Sequence, residues 1–172
     1  VYLFDRASGR LLQRLGGLPS PVNQLVFSPD GRWLAAALRY GGGLRVWDRR
    51  RLDAAMTDRD YKQSSCCVGW SRDGRLATSA NDGLLRLYSM ASGSLQRLAS
   101  EKAPGGQMPG AVAFSPDGSR LAVGYEDSAR VDVLDGRTLA LLSTPSTASL
   151  PNSNLRAVAW SADGELLAAA GR

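Results

Sequence analysis

The stretch Phe27-Ser28-Pro29-Asp30-Gly31-Arg32-Trp33-Leu34-Ala35 decides the fold, because close copies of it return three times along the chain. The copies are Trp70-Ser71-Arg72-Asp73-Gly74-Arg75-Leu76-Ala77, Phe114-Ser115-Pro116-Asp117-Gly118-Ser119-Arg120-Leu121-Ala122 and Trp160-Ser161-Ala162-Asp163-Gly164-Glu165-Leu166-Leu167-Ala168. The serines of successive copies lie 43, 44 and 46 residues apart. A regular period in this range indicates repeated units that pack against their neighbours.

The Ser-Pro-Asp-Gly sequence at the centre of a copy predicts a tight turn. Proline favours the φ that the turn requires, the aspartate carboxylate can accept hydrogen bonds from nearby backbone, and glycine allows a positive φ. The runs on either side are therefore predicted to be the antiparallel strands of a hairpin.

Each repeat is predicted to contain four strands, which we label a, b, c and d. Strand a precedes the turn, as in Val22 to Phe27, and strand b follows it, as in Trp33 to Leu38. Strand c alternates apolar and polar residues, as in Leu44 to Asp48, and this pattern predicts a half-buried strand with one face in water. The outer strand d is predicted over Arg10 to Leu15, Ser94 to Leu98 and Thr138 to Leu142.

This order of strands predicts an all-β fold of propeller blades, each with four antiparallel strands. The chain starts with strands c and d, continues through three full units and finishes with strands a and b, which makes about four blades' worth of strands. Within one propeller region over 1–172, the units are predicted at 1–15 (partial), 22–58, 66–99, 111–143 and 155–172 (partial).

Here the chain resembles the WD-repeat β-propeller family over nearly all of its length. The resemblance rests on the dipeptide at the end of strand c and on an aspartate in the b–c turn. These positions are Trp47-Asp48, Phe4-Asp5, Tyr88-Ser89 and Leu134-Asp135 for the dipeptide, and Asp82 and Asp127 for the turn. It implies a ring of about seven or eight blades, and so a longer chain. Alternatively, the terminal c-d and a-b pairs complete one shared blade, within a chain or between two copies.

One feature of that family is missing, because the chain has no histidine and therefore no Gly-His dipeptide before strand a. The family's hydrogen-bonded network joins this histidine to a serine, the turn aspartate and the tryptophan. We expect the network to be incomplete here and the blades to be held mainly by apolar packing. This departure is common in divergent bacterial arrays, and a bacterial source is predicted.

The composition narrows the function classes. Without histidine, a Ser/His/Asp triad, a Cys/His dyad and a histidine-bearing zinc site are excluded for this chain alone. The net charge is +5, but the arginines are spread along the chain, and the one run, Arg49-Arg50-Arg51, is interpreted as a solvated loop. No membrane insertion is predicted, because no apolar run has the about 18 residues that a spanning helix needs, and no signal peptide is recognised.

The residues that could carry chemistry are interpreted as structural. Cys66 and Cys67 are adjacent in a strand, so their side chains are expected on opposite faces, as small and mostly buried groups in a reducing compartment. A cytoplasmic location is therefore predicted. The turn aspartates Asp30, Asp73, Asp117 and Asp163 lie on different blades and are not expected to form a metal site. No cofactor is predicted.

The loops that join d to a and b to c gather on one face in the family, and this face usually docks partners. A protein or peptide partner is therefore expected there, since variable loops on a rigid frame carry recognition. The candidate binding residues are Arg39, Tyr40, Arg59, Tyr61, Lys62, Asn81, Glu101, Lys102, Met108, Glu126, Asn152 and Asn154.

The leading hypothesis is a non-catalytic scaffold or sensor module that docks a protein on this face. An alternative is the recognition half of a multidomain bacterial effector, with a caspase-like peptidase or similar enzyme outside these residues, because Pro104 to Tyr125 resembles the arrays of such proteins. Nucleic-acid binding through the arginines is a minor alternative. Catalysis within the chain is not expected, since no acidic position recurs at the start of strand a.

Overall fold

The computed structural model of the protein describes residues 1–148 and 154–171, which form sixteen β-strands and no helix. The strands are β1 (Tyr2–Phe4), β2 (Leu11–Arg14), β3 (Val22–Phe27), β4 (Trp33–Leu38), β5 (Gly43–Asp48), β6 (Arg51–Asp58), β7 (Ser65–Trp70), β8 (Arg75–Ala80), β9 (Leu84–Ser89), β10 (Gln96–Lys102), β11 (Pro109–Phe114), β12 (Arg120–Tyr125), β13 (Val131–Asp135), β14 (Leu141–Ser143), β15 (Ala157–Trp160) and β16 (Leu167–Ala170). No helix in this part of the chain could therefore cross a membrane.

The strands form three complete four-stranded sheets, each antiparallel and in chain order. These are β3–β6, β7–β10 and β11–β14, which we call blades 1, 2 and 3. The pairs β1–β2 and β15–β16 form two-stranded sheets on either side in the sequence. The prediction of four-stranded antiparallel blades is confirmed, while the number of blades in a closed ring stays a prediction.

The turn between strands a and b is closed by its serine, because every copy has an aspartate two residues after the serine. In each copy the serine hydroxyl donates to the aspartate two residues on, at 2.5 Å for Ser28–Asp30 and 2.6 Å for Ser115–Asp117. The same hydroxyl accepts from the first residues of strand b, such as the Trp33 amide at 2.9 Å. The serine hydrogen bond also lowers the pKa of Asp30. The turn glycines have φ between +68° and +83°, which other residues adopt rarely.

Strands a of successive blades contact one another, so that β3, β7, β11 and β15 form the inner line of the array. Side chains join them across the blades. The Trp70 indole donates to the Val26 carbonyl at 3.3 Å, and the Trp160 indole donates to the Ala113 carbonyl at 3.0 Å. Gln24 accepts from the Val68 amide at 2.7 Å.

The hydrophobic core lies between blades and not within them. One cluster joins blades 1 and 2 through Val46 and Leu76, a second joins blades 2 and 3 through Leu87 and Leu121, and a third joins β1–β2 to blade 1 through Trp47. Every residue of β4 and β8 is buried, because each of these strands is covered on both sides.

The expectation that strand c has one face in water is wrong. Residues 43–47 of β5 and 85–88 of β9 are all buried, including the polar position of the alternation. The arginine that occupies this position, Arg45 in blade 1 and Arg86 in blade 2, is no more than 4% exposed. Packing on both sides of the sheet therefore outweighs the alternating pattern.

Strand d also departs from its predicted bounds. In blade 3, β14 begins at Leu141 and not at Thr138, because Asp135 folds the preceding residues into a turn. Its carboxylate accepts from the amides of Arg137 and Thr138, both at 2.8 Å, and Leu139 adopts a left-handed φ of +64°.

Blade 2 holds a buried polar network where the sequence led us to expect mainly apolar packing. The Tyr61 hydroxyl lies 2.7 Å from Thr78 Oγ1 and 2.8 Å from the Tyr88 hydroxyl, which donates to Asp58 at 2.9 Å. Tyr88 stands in place of the family's tryptophan, and Tyr61 precedes strand a. The two tyrosines thus form a buried hydrogen-bonded network in this blade, although the chain has no histidine.

Candidate functional site

The d–a loops and b–c turns meet at one end of the blades, and we call this surface the loop face. It consists of residues 15–21, 59–64 and 103–108 from the loops and 39–42, 81–83 and 126–130 from the turns. One backbone hydrogen bond recurs in all three blades, since Arg39 donates to Pro21, Asn81 to Ser64 and Glu126 to Met108, each at 2.9 Å. The repeated bond holds each turn against the loop that precedes its own blade.

The turn aspartates strengthen this frame. Asp82 accepts from the Lys62 amide at 3.2 Å, and Asp127 accepts from the Gln107 and Met108 amides at 2.7 and 3.2 Å. In blade 1 the turn lacks an aspartate, and the Tyr40 amide instead donates to the Ser64 hydroxyl at 3.0 Å. The loops of the face are therefore fixed to the blades by specific hydrogen bonds.

Most of the candidate binding residues lie at the surface of this end of the blades. Six are exposed: Arg39, Tyr40, Arg59, Lys62, Glu101 and Lys102, of which the last two belong to the end of β10. Four are partly buried: Asn81, Met108, Glu126 and Asn154. The candidate Asn152 lies outside the described residues.

Tyr61 is the exception among the candidates, because its side chain is only 5% exposed and is used inside blade 2. The Arg86 guanidinium lies 4.0 Å from the centre of its ring, and burial raises the pKa of the tyrosine hydroxyl to about 12. A sequence that places Tyr61 in a loop gives no sign that the loop folds inwards. We therefore leave Tyr61 out of the surface discussed below.

Several clefts open on the loop face, and two of them border blade 2. The first, of about 580 Å³, lies between blades 2 and 3 and is lined by Asn81, Asp82, Lys102 and Met108 among others. The second, of about 570 Å³, lies where strands a begin and is lined by Arg39, Tyr40, Cys66, Cys67, Asn81, Glu126 and Arg156 among others. Asn81 lines both clefts. The face is thus a grooved surface of mixed charge.

Sequence reasoning missed part of the second cleft. Asn23 and Arg156 line it, and Asn23 also accepts from the Arg39 guanidinium at 2.6 Å. Both residues lie at or next to the start of a strand a, at the end of the blade where the loops gather. Their position at the start of strand a is therefore the sequence feature that identifies them as cleft residues.

The two cysteines are free thiols and line the same cleft, although opposite faces were expected. A bulge between Ser65 and Cys67 breaks the alternation of β7 at this point. Burial, with the charge of Glu126 next, raises the pKa of Cys66 to about 12 and that of Cys67 to about 11. The thiols therefore stay protonated near neutral pH.

We expect iodoacetamide at pH 8 to alkylate these cysteines about 100-fold more slowly in the folded chain than in urea, where the thiol pKa is about 8.5. Raising the pH from 8 to 10 should accelerate the folded reaction far more than the unfolded one. The raised pKa values also stabilise the fold below about pH 8.5, and this contribution is lost as the pH rises. Mass spectrometry of quenched samples measures both rates, and equal rates at pH 8 would contradict the expectation.

Other groups that carry chemistry have local structural partners. Arg32 pairs with Asp48, Arg75 with Asp73 and Arg130 with Asp132. Within 1–148 and 154–171, no group of three or more histidine, cysteine or acidic residues could hold a metal ion. The loop face, with its exposed side chains on a fixed frame, is therefore the strongest candidate site.

Comparisons with known proteins agree with this architecture. Residues 9–48 and 59–89 match the family described as WD domain, G-beta repeat. The chain is 30% identical over 134 residues to WD repeat-containing protein 90 of Homo sapiens, covering 74% of this chain and 7% of that protein. It is 28% identical over 141 residues to WD repeat-containing protein SL1-17 of Schistosoma mansoni, covering 80% and 45%.

The chain is also similar to a bacterial protein and to a solved structure. The chain is 29% identical over 121 residues to the uncharacterized peptidase YuxL of Bacillus subtilis (strain 168), covering 70% of this chain and 17% of that protein. The chain thus spans less than half of each of these three curated relatives. A chain in the crystal structure of a mitotic checkpoint complex superimposes with a TM-score of 0.78 at 22% identity, over 99% of this chain and 52% of that chain. This likeness shows the fold.

Proposed function

The chain carries WD repeats folded as β-propeller blades, and from this premise we propose that it is a non-catalytic scaffold that docks a protein or peptide partner on its loop face. The observation that carries the proposal is the surface formed by Arg39, Tyr40 and Arg59. All three side chains are exposed on loops that hydrogen bonds hold in place. Arginine and tyrosine are enriched at the centres of protein interfaces.

Tyr40 is the central residue of this surface. Its side chain is 76% exposed, and its backbone adopts a left-handed φ of +51°, which is unfavourable for a bulky residue. Strained residues cluster at functional sites, so backbone strain at this exposed aromatic residue favours a role in binding over a role in stabilising the fold. The solved structure that superimposes on the chain is itself part of a protein complex, which also supports the proposal.

Changing Tyr40 and Arg59 together to alanine is expected to weaken binding to a protein partner about 10-fold or more, because interface aromatics and arginines carry much of the binding energy. Partners are captured from an extract of the source cells with the immobilised chain, and their affinity is then measured with purified protein. The matched control changes Arg72 and Arg137 to alanine, two exposed arginines in turns at the other end of the blades.

The control variant should bind its partner as the wild type does. Equal binding by both double variants, or loss of binding only with Arg72 and Arg137 changed, would place the docking surface elsewhere.

A second candidate function is favoured by the similarity to a bacterial peptidase over 70% of this chain. In this reading the blades are the recognition part of a longer protein whose catalytic domain lies outside these residues. The complete open reading frame tests it, since a propeller without any catalytic neighbour would contradict this candidate.

Nucleic-acid binding is a weaker candidate, because several arginines already pair with carboxylates. Arg86 contacts Asp82 at 2.7 Å, and Arg97 contacts Asp60 at 2.7 Å. Phosphate binding by the remaining arginines would give a steep loss of affinity with salt. We also propose a cytoplasmic location, which the free thiols of Cys66 and Cys67 support.

A further inference from the structure

The polar position of the alternation in strand c is charged and buried in three successive blades. Arg45, Arg86 and Asp132 are 4%, 1% and 0% exposed. A buried charge needs an opposite charge or several hydrogen bonds, since burial removes its hydration. Two of the three have an opposite charge, because Arg86 pairs with Asp82 at 2.7 Å and Asp132 accepts from Arg130 at 2.8 Å.

Arg45 has no such partner among the side chains that the structure describes. Its guanidinium donates to the carbonyl oxygens of Gly42 and Leu44 at 3.2 and 3.1 Å, and no described carboxylate lies within ion-pair distance. The reason is in the b–c turn. Blade 2 has Asn81-Asp82-Gly83 there, whereas blade 1 has Arg39-Tyr40-Gly41-Gly42, so the aspartate that pairs with Arg86 has no counterpart.

A second cation lies next to Arg45. A Cβ atom built at Gly43 would lie 3.2 Å from the Cα of Arg59. The backbone at Arg59 therefore lies against the start of β5. Arg59 is exposed and makes no ion pair with a described carboxylate. Burial, followed by the charge of Arg59, lowers the pKa of Arg45. Two positive charges are thus neighbours, and neither forms an ion pair with a described carboxylate.

Two adjoining clefts are lined by both arginines, although only Arg59 is exposed and Arg45 lies buried at their wall. One has a volume of about 220 Å³ and the other about 420 Å³, and both are lined by Gly17, Arg45 and Arg59. We call the smaller one, which also includes Ser20 and Tyr40, the Arg45 cleft. The Ser20 hydroxyl at its wall is buried and makes no hydrogen bond with a described residue.

We propose that the Arg45 cleft binds a carboxylate from an acidic side chain of the partner peptide. This inference rests on the proposed function and names the chemistry that the loop face would recognise. The partner's carboxylate would take the place that Asp82 fills within blade 2, between the guanidinium groups of Arg45 and Arg59. Arginine suits this role because its planar fork matches a carboxylate with paired hydrogen bonds.

A single acidic side chain fits better than a nucleic-acid backbone. The Arg45 cleft is lined by two cations, Arg45 and Arg59, and the adjoining cleft adds Arg14, whereas a phosphate backbone requires a longer row of free arginines or lysines along a surface. The neighbouring arginines of blade 2, Arg86 and Arg97, are already paired with aspartates.

Fluorescein-labelled hexaglutamate is the probe, with hexaglutamine as its neutral counterpart, and binding to the full chain is followed by anisotropy. We expect hexaglutamate to bind at least about 10-fold more tightly than hexaglutamine. Hexaglutamine has no carboxylate, and the loss of one charged hydrogen bond lowers the affinity by about this factor. Sodium glutarate should displace the probe at lower concentration than sodium phosphate at equal ionic strength. The reverse order would overturn the carboxylate assignment in favour of a phosphate.

The matched variants are Tyr40→Asp and Tyr40→Asn, since both residues tolerate a left-handed backbone and only the first adds a carboxylate to the cleft. Tyr40→Asp should bind hexaglutamate about 10-fold more weakly than Tyr40→Asn. Arg59→Gln, at an exposed position that leaves the core intact, should weaken binding to a similar degree, and Arg72→Gln at the other end should change it less than about 2-fold. Equal affinities for the two Tyr40 variants, or equal losses for Arg59→Gln and Arg72→Gln, would overturn the site.

The two proposals fail in different ways. If partner capture depends on Tyr40 and Arg59 but hexaglutamate does not bind, the docking surface stands and the carboxylate site falls. If hexaglutamate binding depends on Arg59 but partner capture does not depend on the loop face, the scaffold proposal falls.

Discussion

Changing Asp82 to asparagine is expected to lower the free energy of unfolding by about 3 kcal/mol or more, because it leaves the charge of Arg86 buried and unpaired. The two side chains are 2% and 1% exposed, and they meet at 2.7 Å. Arg86 has one further hydrogen bond, to the Asp60 carbonyl at 2.6 Å, and this bond carries no opposite charge. Urea unfolding followed by tryptophan fluorescence measures the loss.

The matched control is Asp127→Asn at the same position of the next b–c turn. Asp127 is exposed, accepts from two backbone amides and pairs with no described arginine, so the change should cost about 1 kcal/mol or less. In the double variant Asp82→Asn and Arg86→Met, removal of the stranded charge should recover much of the loss. Equal costs for Asp82→Asn and Asp127→Asn would show that the ion pair contributes little.

The ion pair also predicts a dependence on acid. Burial alone would raise the pKa of Asp82, but the hydrogen bond and charge of Arg86 outweigh it, and the pKa is lowered. A lowered pKa stabilises the fold above the unfolded value of about 3.9, and the contribution is lost as the pH falls below it. The stability difference between wild type and Asp82→Asn should therefore shrink in acid.

Leu121→Ala is expected to cost about 3 kcal/mol, because the side chain is fully buried between blades 2 and 3 and its removal leaves a cavity. The same motif position in the last copy is Leu167, which is only partly buried on β16. Leu167→Ala should therefore cost about 1 kcal/mol or less. Urea unfolding of both variants makes the comparison.

This pair of variants tests the location of the core. Leu121 and Leu167 are the same residue type at the same motif position, but only Leu121 is packed between two complete blades. A small loss for Leu121→Ala would show that the packing between blades contributes less than its burial indicates. An equally large loss for Leu167→Ala would show that β16 is covered in solution.

The repeat itself was open to prediction from the sequence. The Ser-x-Asp-Gly turn is a local device, in which a serine hydroxyl and an aspartate two residues later bond to each other, so its sequence alone predicts the a–b hairpin. Four copies then predict the order of the strands, and the three complete blades follow that order.

What the sequence could not show depends on contacts between distant residues. The alternation around Arg45 and Arg86 predicts a solvent-exposed face, but the neighbouring blades bury both arginines. Only the b–c turn of blade 2 supplies an aspartate to pair with its arginine. The sequence also predicts Tyr61 on the surface, because its buried partners Thr78 and Tyr88 lie 17 and 27 residues further along the chain. The general location of the candidate site could be predicted, and its charge balance could not.

The location of the core between blades bears on how such a chain can change in length during evolution. Each blade completes the apolar surface of the next, so an inserted or deleted segment preserves the packing when it amounts to a whole repeat of 43 to 46 residues. A segment of another length would shift the order of strands a to d, so that a strand of one type would occupy the place of another in the packing between blades. Gene duplication in units of one blade is therefore the change that this architecture accepts most readily, while the loop face remains free to vary from copy to copy.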